Sequence, residues 1–422
     1  MTEVQHTTGG ARHGRLKRSH AVTGILSTVA LSLAVLLVST TALAAFALWQ
    51  VSSTVAANSI DINSDGDGIG DGPPPGIGSY ENGFNLLIVG VDNDASQGAA
   101  YGERATTLND VNILVHVSAD HTNAVVVSIP RDLIVAHPEC TDAGTGEVYG
   151  ALQAAPVNEA MGRGGLPCVV DTVEELTGLD IPYAGLASFA AVVRLSDAVG
   201  GVPVCLTEPV DDPQAGLSLP AGTSIVAGDT ALAFLRSRHG VGDGSDLSRI
   251  TSQQLYLASL MRTVRGDGTF TDLPRLYSLA NAAAGNIHLS TSLAHTDTMV
   301  SMALALADID LDRLVFVQYP GSTEDPDFPG RVVPTRDLAD IMFAKIAADE
   351  PFSLAPSAGT DEPLVLWPPA ETAEVPAGAE PAEPDATAPP TATLPATAAP
   401  ERLDGLTGRT AADDSCAQVK TG

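Results

Sequence analysis

The sequence predicts an α/β (α+β) fold: a mixed central β-sheet flanked by helices and preceded by one transmembrane helix. Three observations predict it. Between about Asn82 and Pro351, short β-branched runs alternate with stretches of helical period, the pattern of helices packed on a mixed sheet. Apolar residues make up 44% of the 422, enough to bury a sizeable core. Ahead of this region no charged residue occurs from Ala21 to Ile60.

That uncharged stretch begins with "AVTGILSTVALSLAVLLVSTTALAAFALW", residues 21–49. At ~1.5 Å per residue it crosses a hydrocarbon core of about 30 Å. A secretory signal's apolar region is about 7–15 residues, so the length favours an uncleaved anchor. "RHGRLKR" before it places residues 1–20 in the cytoplasm and the remainder outside. Residues 50–80 then read as a Gly/Pro/Asp linker. It opens like a calcium loop at Asp61, Asn63, Asp65 and Gly66, but Gly72 stands where the bidentate glutamate belongs.

From residue 81 to 351 one folded domain is expected. "FNLLIVGVD", "VNILVHVS" and "AVVVSIP" read as buried strands. "CVVDTVEELTG" and "FAAVVRLSDAVGG" read as helices ended by glycine. "VPVCL" and "RLVFVQYPG" are further strands. "VAGDTALAFLRSRHG", with Asp229 as its capping candidate, "SDLSRITSQQLYLASLMRTV", "TMVSMALALADI" and "TRDLADIMFAKIAAD" are further helices. Residues 352–401 are rich in Pro, Ala, Thr and Glu, a composition that cannot bury enough surface to order itself. Residues 402–422 regain a cysteine, Cys416. Outside the cytoplasm the four cysteines suit two disulfides, with three connectivities open; Cys140–Cys168 with Cys205–Cys416 is the pairing expected.

The formal charge is −30, from 21 Lys and Arg against 51 Asp and Glu. Such a chain repels nucleic acid and anionic lipid in bulk, so an anionic ligand needs a local cationic site. Arg236, Arg238 and Arg249 cluster in "LRSRHGVGDGSDLSRITSQQ". Arg236 and Arg238 point the same way only if the helix before them ends near Leu235, since on a helix they diverge by about 200°. Arg249 and Gln253 share a face near the start of the next helix, whose N-terminus favours anions. A second group lies at strand ends: Asp92, Asp110, Arg131 and Asp132. Two carboxylates brought together there suit Mg2+, with Mn2+ as the alternative ion. No G-x-S-x-G elbow, Walker A loop or dinucleotide fingerprint is present.

"NLLIVGVD", "LNDVNILVHVSAD", "VVVSIPRDLIV", "PVNEA", "DAVGGVPV", "AGDTALAFLRSRH" and "SDLSRITSQQ" resemble, in order and spacing, the LytR-CpsA-Psr family over about Asn82 to Met261. The resemblance implies a membrane-anchored phosphotransferase, with residues 81–351 as its catalytic domain. Such an enzyme moves a glycopolymer of teichoic acid, capsule or arabinogalactan type from a polyprenyl-pyrophosphate carrier to peptidoglycan. It implies Asp92 and Asp110 as metal ligands. It implies Arg131, Arg236, Arg238 and Arg249, with Gln253, as the pyrophosphate site, and Arg131, Arg249 and Asp132 in catalysis. One position departs: Leu108 stands where the family usually carries arginine, and Arg104, four residues earlier, is the substitute the chain offers. A hydrolase with the same site and a non-catalytic wall-binding or regulatory protein are the alternatives.

Overall fold

The computed structural model describes residues 21–57, 59–62, 82–92, 107–238, 246–266, 279, 286–294, 296–354 and 400–417. Residues 21–57 form one helix, α1, of 37 residues. Its segment Ile25–Ala42 is the one stretch among the described residues long and apolar enough to cross a membrane, and every side chain in it is exposed. Most of the 50–80 linker, including Asn63, Asp65 and Gly66 of the calcium-like stretch, lies outside the described residues. Ile60 and Ile62 do not behave as linker. Ile60 N donates to Leu289 O at 2.8 Å, and Ile62 is buried in the domain core.

Seven strands make the central sheet. They are β1 (Phe84–Val91), β2 (Asn109–Val117), β3 (Ala124–Ile129), β4 (Tyr183–Ser188), β5 (Ile287–Leu289), β6 (Leu314–Gln318) and β7 (Gly408–Thr410). The order is β5-β4-β1-β2-β3-β6-β7. β1 runs parallel to β4, and β3 parallel to β6, while β2 pairs antiparallel with both β1 and β3. The four strands β1, β3, β4 and β6 therefore point one way, and their C-terminal ends lie along a single edge. "VPVCL" is a strand, Val202–Leu206, but it pairs with Gly222–Val226 outside this sheet.

Both faces of the sheet are covered, which is why its strands read as near-continuous apolar runs. On one face Leu87, Val89, Leu114 and Val127 pack against α2 (Met161–Thr177) and α7 (Arg336–Ala347), through Val169, Val173, Met342 and Phe343. On the other, Ile113, Val115, Val117 and Phe316 meet Ala258 of α5 (Asp246–Gly266) and Met302 of α6 (Thr296–Asp308). A third cluster joins the Val202–Leu206 strand to Phe234 of α4 (Gly228–Arg236) and Tyr256 of α5. Each such side chain is worth about 1.5–3 kcal/mol when fully buried. The capping expectation for α4 fails: Ala227 is the N-cap, and Asp229 lies in the first turn, where a carboxylate still complements the helix dipole.

Two disulfides, Cys140–Cys168 and Cys205–Cys416, are present. The first explains an irregularity in α2, which is non-helical at Gly164 and Gly165. A Cβ on Gly164 would sit 2.9 Å from Cys168 Cβ and 3.2 Å from Cys140 Cβ, so only glycine lets the backbone pass the bridge. The second draws residues 400–417 back onto the domain. β7 adds an edge strand to β6, Glu401–Leu403 pairs with Phe352–Leu354, and Arg262 of α5 donates to Ala411 O and Asp413 O at 2.7 and 2.6 Å. The folded unit thus includes residues on both sides of the Pro/Ala/Thr-rich segment.

His137, 1% exposed, gives this packing a pH dependence. Burial, and then the Arg163 charge, hold its pKa below the ordinary 6.5. The unfolded chain therefore binds the proton more readily. Stability is fully present above about pH 6.5 and falls as the pH drops through the window beneath it, at up to about 1.4 kcal/mol per pH unit. Burial lowers His116 as well, against the pull of Asp349, and its contribution has the same sign. Guanidinium midpoints are expected to decrease from pH 7.5 to 5.5, and His137→Leu is expected to flatten that decrease.

Candidate active site

The edge where β1 and β3 end also carries the start of antiparallel β2. Asp92 follows β1, Arg131 follows β3 after Pro130, and Asp110 is the second residue of β2. This is the end of an α/β sheet where ligand sites form. A β-bulge sharpens the placement. Gly90 is opposite Val111 and Val91 is opposite Asn109, so Asp110 has no residue opposite it. An extra residue of this kind is re-aimed out of the ladder. Asn109, fully buried, pins the bulge: its Nδ2 donates to Asn112 Oδ1 at 2.7 Å and to Val157 O at 3.2 Å, and its Oδ1 accepts from Met161 N at 3.3 Å. Arg131 Nη1 then donates to Asp110 Oδ1.

The arginine pair is built by the end of α4. The helix stops at Arg236, and Ser237 adopts an extended backbone with φ −61° and ψ 131°. Residues on either side of an extended residue face the same way. Ser237 itself turns inward, fully buried, and its hydroxyl donates to Asp212 Oδ2 at 2.7 Å. Asp212 Oδ1 accepts from Gln214 N and Ala215 N at 3.1 and 3.2 Å. The buried carboxylate thus ties the Val210–Leu219 hairpin to the arginine pair. The Arg236 guanidinium also stacks on Phe189 at 4.7 Å, a cation–π contact. Ser237→Ala removes the hydroxyl from a buried carboxylate. It is expected to cost about 1.5–3 kcal/mol, read as a lower denaturation midpoint.

α5 supplies the remaining wall. Arg249 and Gln253, one turn apart and both buried, reach across to neighbouring backbone. Arg249 Nη2 donates to Asp110 O at 3.1 Å, and Gln253 Nε2 to Leu235 O at 3.2 Å. The second contact ties α5 to α4 and the first ties α5 to the bulge.

These elements enclose a cavity of about 420 Å³. Asp92, Asp110, Arg131, Arg236, Arg238, Arg249 and Gln253 all line it. Of the other residues singled out from sequence, Asp132 does not line it; its carboxylate lies between Arg131 and Arg331. Arg104 lies outside the described residues. Leu108 is half-buried and is not part of the lining. Sequence reasoning missed Asp212, Phe189 and Gln214. "VDDPQAG" carries a turn signature, but nothing in it announces the bond to Ser237, 25 residues away.

Comparisons with known proteins place the chain that carries this cavity. The LytR_cpsA_psr family model matches residues 50–336. The cell wall biosynthesis protein LcpA of Corynebacterium glutamicum is 30% identical over 336 residues, covering 73% of this chain and 62% of its own. The chain thus spans less than two thirds of that relative's length. TagT of Bacillus subtilis, named a polyisoprenyl-teichoic acid–peptidoglycan teichoic acid transferase, is 23% identical over 242 residues, 56% of this chain and 69% of its own. A Streptococcus agalactiae crystal structure, protein gbs0355, superposes with a TM-score of 0.52 at 20% identity, over 64% of this chain and 88% of that one, and shares the fold. With a family match over most of its length, the chain belongs to the LytR-CpsA-Psr family.

Proposed function

We propose that this protein transfers a glycopolymer from a polyprenyl-pyrophosphate carrier to a hydroxyl of peptidoglycan, forming a phosphodiester. One observation carries the reading. A chain with a formal charge of −30 gathers four arginines and two strand-end carboxylates around a single cavity. Guanidinium groups match phosphate oxygens in a planar fork. Relatives named for teichoic acid transfer and for cell wall biosynthesis support a wall polymer as the transferred group; teichoic acid, capsule and arabinogalactan types are the candidates.

The donor set fits a hard divalent cation. Asp92 and Asp110 offer oxygen ligands in one cavity, and Mg2+ is characteristically held by one or two carboxylates plus substrate phosphate. Mn2+ meets the same donors. Among the described residues no group of three or more His, Cys, Asp or Glu is gathered; substrate phosphate and water would complete the ion's shell. When bound, the ion neutralises charge on the pyrophosphate.

The chain's own residues do the rest. Arg131 and Arg249, both bonded to Asp110, line the cavity with Arg236 and Arg238 and would bind the phosphates, and Gln253 holds the α4–α5 junction. The acceptor hydroxyl attacks the sugar-linked phosphorus. The bond to polyprenyl phosphate breaks, and the guanidinium groups stabilise charge as it develops on the leaving phosphate. α1 anchors the protein in the cytoplasmic membrane beside its lipid carrier, with residues 1–20 inside and the domain outside.

The test uses the full chain in lipid nanodiscs, a synthetic polyprenyl-pyrophosphate-linked sugar and a peptidoglycan fragment, followed by mass spectrometry with Mg2+ or EDTA. A Mg2+-dependent sugar-phosphate adduct on the fragment is expected. Free sugar phosphate without adduct would mark a hydrolase. Bound lipid without turnover would mark a wall-binding or regulatory protein.

A further inference from the structure

Arg131 stands between two carboxylates. Its Nη1 donates to Asp110 Oδ1, and its Nε lies 3.5 Å from Asp132 Oδ2. One guanidinium flanked by two carboxylates sums to a net charge of about −1. Such a group would weaken the pull of the cavity's other arginines on an anionic ligand. A fourth residue changes the sum. Arg331 Nη1 donates to Asp132 Oδ1 from the opposite side.

Arg331 lies outside the cavity lining, on the turn between Gly321–Ser322 and Val333–Pro334. Its position is set by backbone. Val332 N donates to Asp132 O at 3.1 Å, and Ile134 N donates to Val332 O at 2.8 Å, so the turn is stitched to the segment that follows β3. The four charges alternate in sign from surface to cavity: Arg331, Asp132, Arg131, Asp110. Side-chain exposure falls from 41% at Arg331 to 15%, 19% and 12% along the chain. The inner members are therefore weakly screened, where an uncompensated charge matters most.

We infer that Arg331 is a charge-compensating, positioning residue: it neutralises Asp132, so that one carboxylate fewer offsets the charge Arg131 presents to an anionic ligand in the cavity. Asp132 is then the carboxylate that Arg331 neutralises rather than a base. The inference rests on the proposed function only for the ligand's identity as a pyrophosphate.

The test titrates the full chain in nanodiscs with farnesyl pyrophosphate in Mg2+ buffer. Arg331→Ala is expected to raise the Kd about tenfold, the size of one uncompensated charge a few ångströms from the ligand site. Arg331→Lys, which keeps the charge, stays close to the wild type. The decisive variant is Asp132→Asn combined with Arg331→Ala. It removes the carboxylate that needed neutralising, so its affinity returns toward wild type, whereas a purely structural role predicts a double variant as poor as the single or worse. An Arg331→Ala affinity equal to wild type, or a double variant no better than the single, overturns the inference and leaves the transfer function standing. Wild-type binding without any adduct in the transfer assay overturns that function and leaves the inference standing. Wild type that does not bind the probe overturns both.

Discussion

Arg249→Ala is expected to lower the rate of glycopolymer transfer by about 10³–10⁵-fold, the range for arginines that stabilise phosphoryl transfer. The expectation rests on where Arg249 sits. It lies in the first turn of α5 and is 6% exposed, and its Nη2 is tied to the backbone of Asp110, the bulge residue that also accepts from Arg131. The guanidinium is thus pre-oriented before substrate arrives, and pre-oriented charge costs no reorganisation during reaction. Arg131→Ala is expected to fall in the same range. Single-turnover rates read the loss, and a thermal melt of each variant controls for folding. A melt lowered as far as that of a core variant such as Leu114→Ala, with the rate retained, would assign Arg249 to structure instead.

Replacing both Cys205 and Cys416 with serine is expected to cost about 2–5 kcal/mol of stability. The bridge closes a loop with a sequence separation of 211, so the unfolded chain gains much freedom without it. The native side loses less, because Ala417 N still donates to Cys205 O at 2.8 Å and β7 still pairs with β6. Guanidinium denaturation under oxidising conditions measures the difference. Wild type treated with a reductant that opens only this bridge should match the variant. A variant as stable as wild type would show that strand pairing alone secures residues 400–417.

Much of the fold was legible because burial on both faces leaves a plain signal. β1, β2, β3 and β6 are apolar runs, and each helix expected from the sequence between them and after β6 is present. Three strands were not legible, for separate reasons. β4, "YAGLAS", has no β-branched residue and is made a strand by its parallel pairing with β1. β5 has three residues. β7, "GRT", follows a long biased segment, and its Gly408 is required only because a Cβ there would collide with the Phe316 carbonyl. In the site, the shared cavity of the seven residues expected from sequence follows from strand ends and helix ends, together with the family pattern. Asp132 shows the limit. A carboxylate beside a key arginine looks chemical in sequence, and only the distant Arg331 reveals that it is already engaged.

The late position of β7 in the chain bears on how the protein is made. β6 ends at Gln318 and its sheet partner begins only at Gly408. With the domain outside the membrane, as proposed, the β6 edge stays uncovered until the residues after the Pro/Ala/Thr-rich segment have been exported. An open edge of buried-type residues is an invitation to pair with another chain. Closing the sheet therefore waits on residues 408–410, the last strand in the chain to reach it.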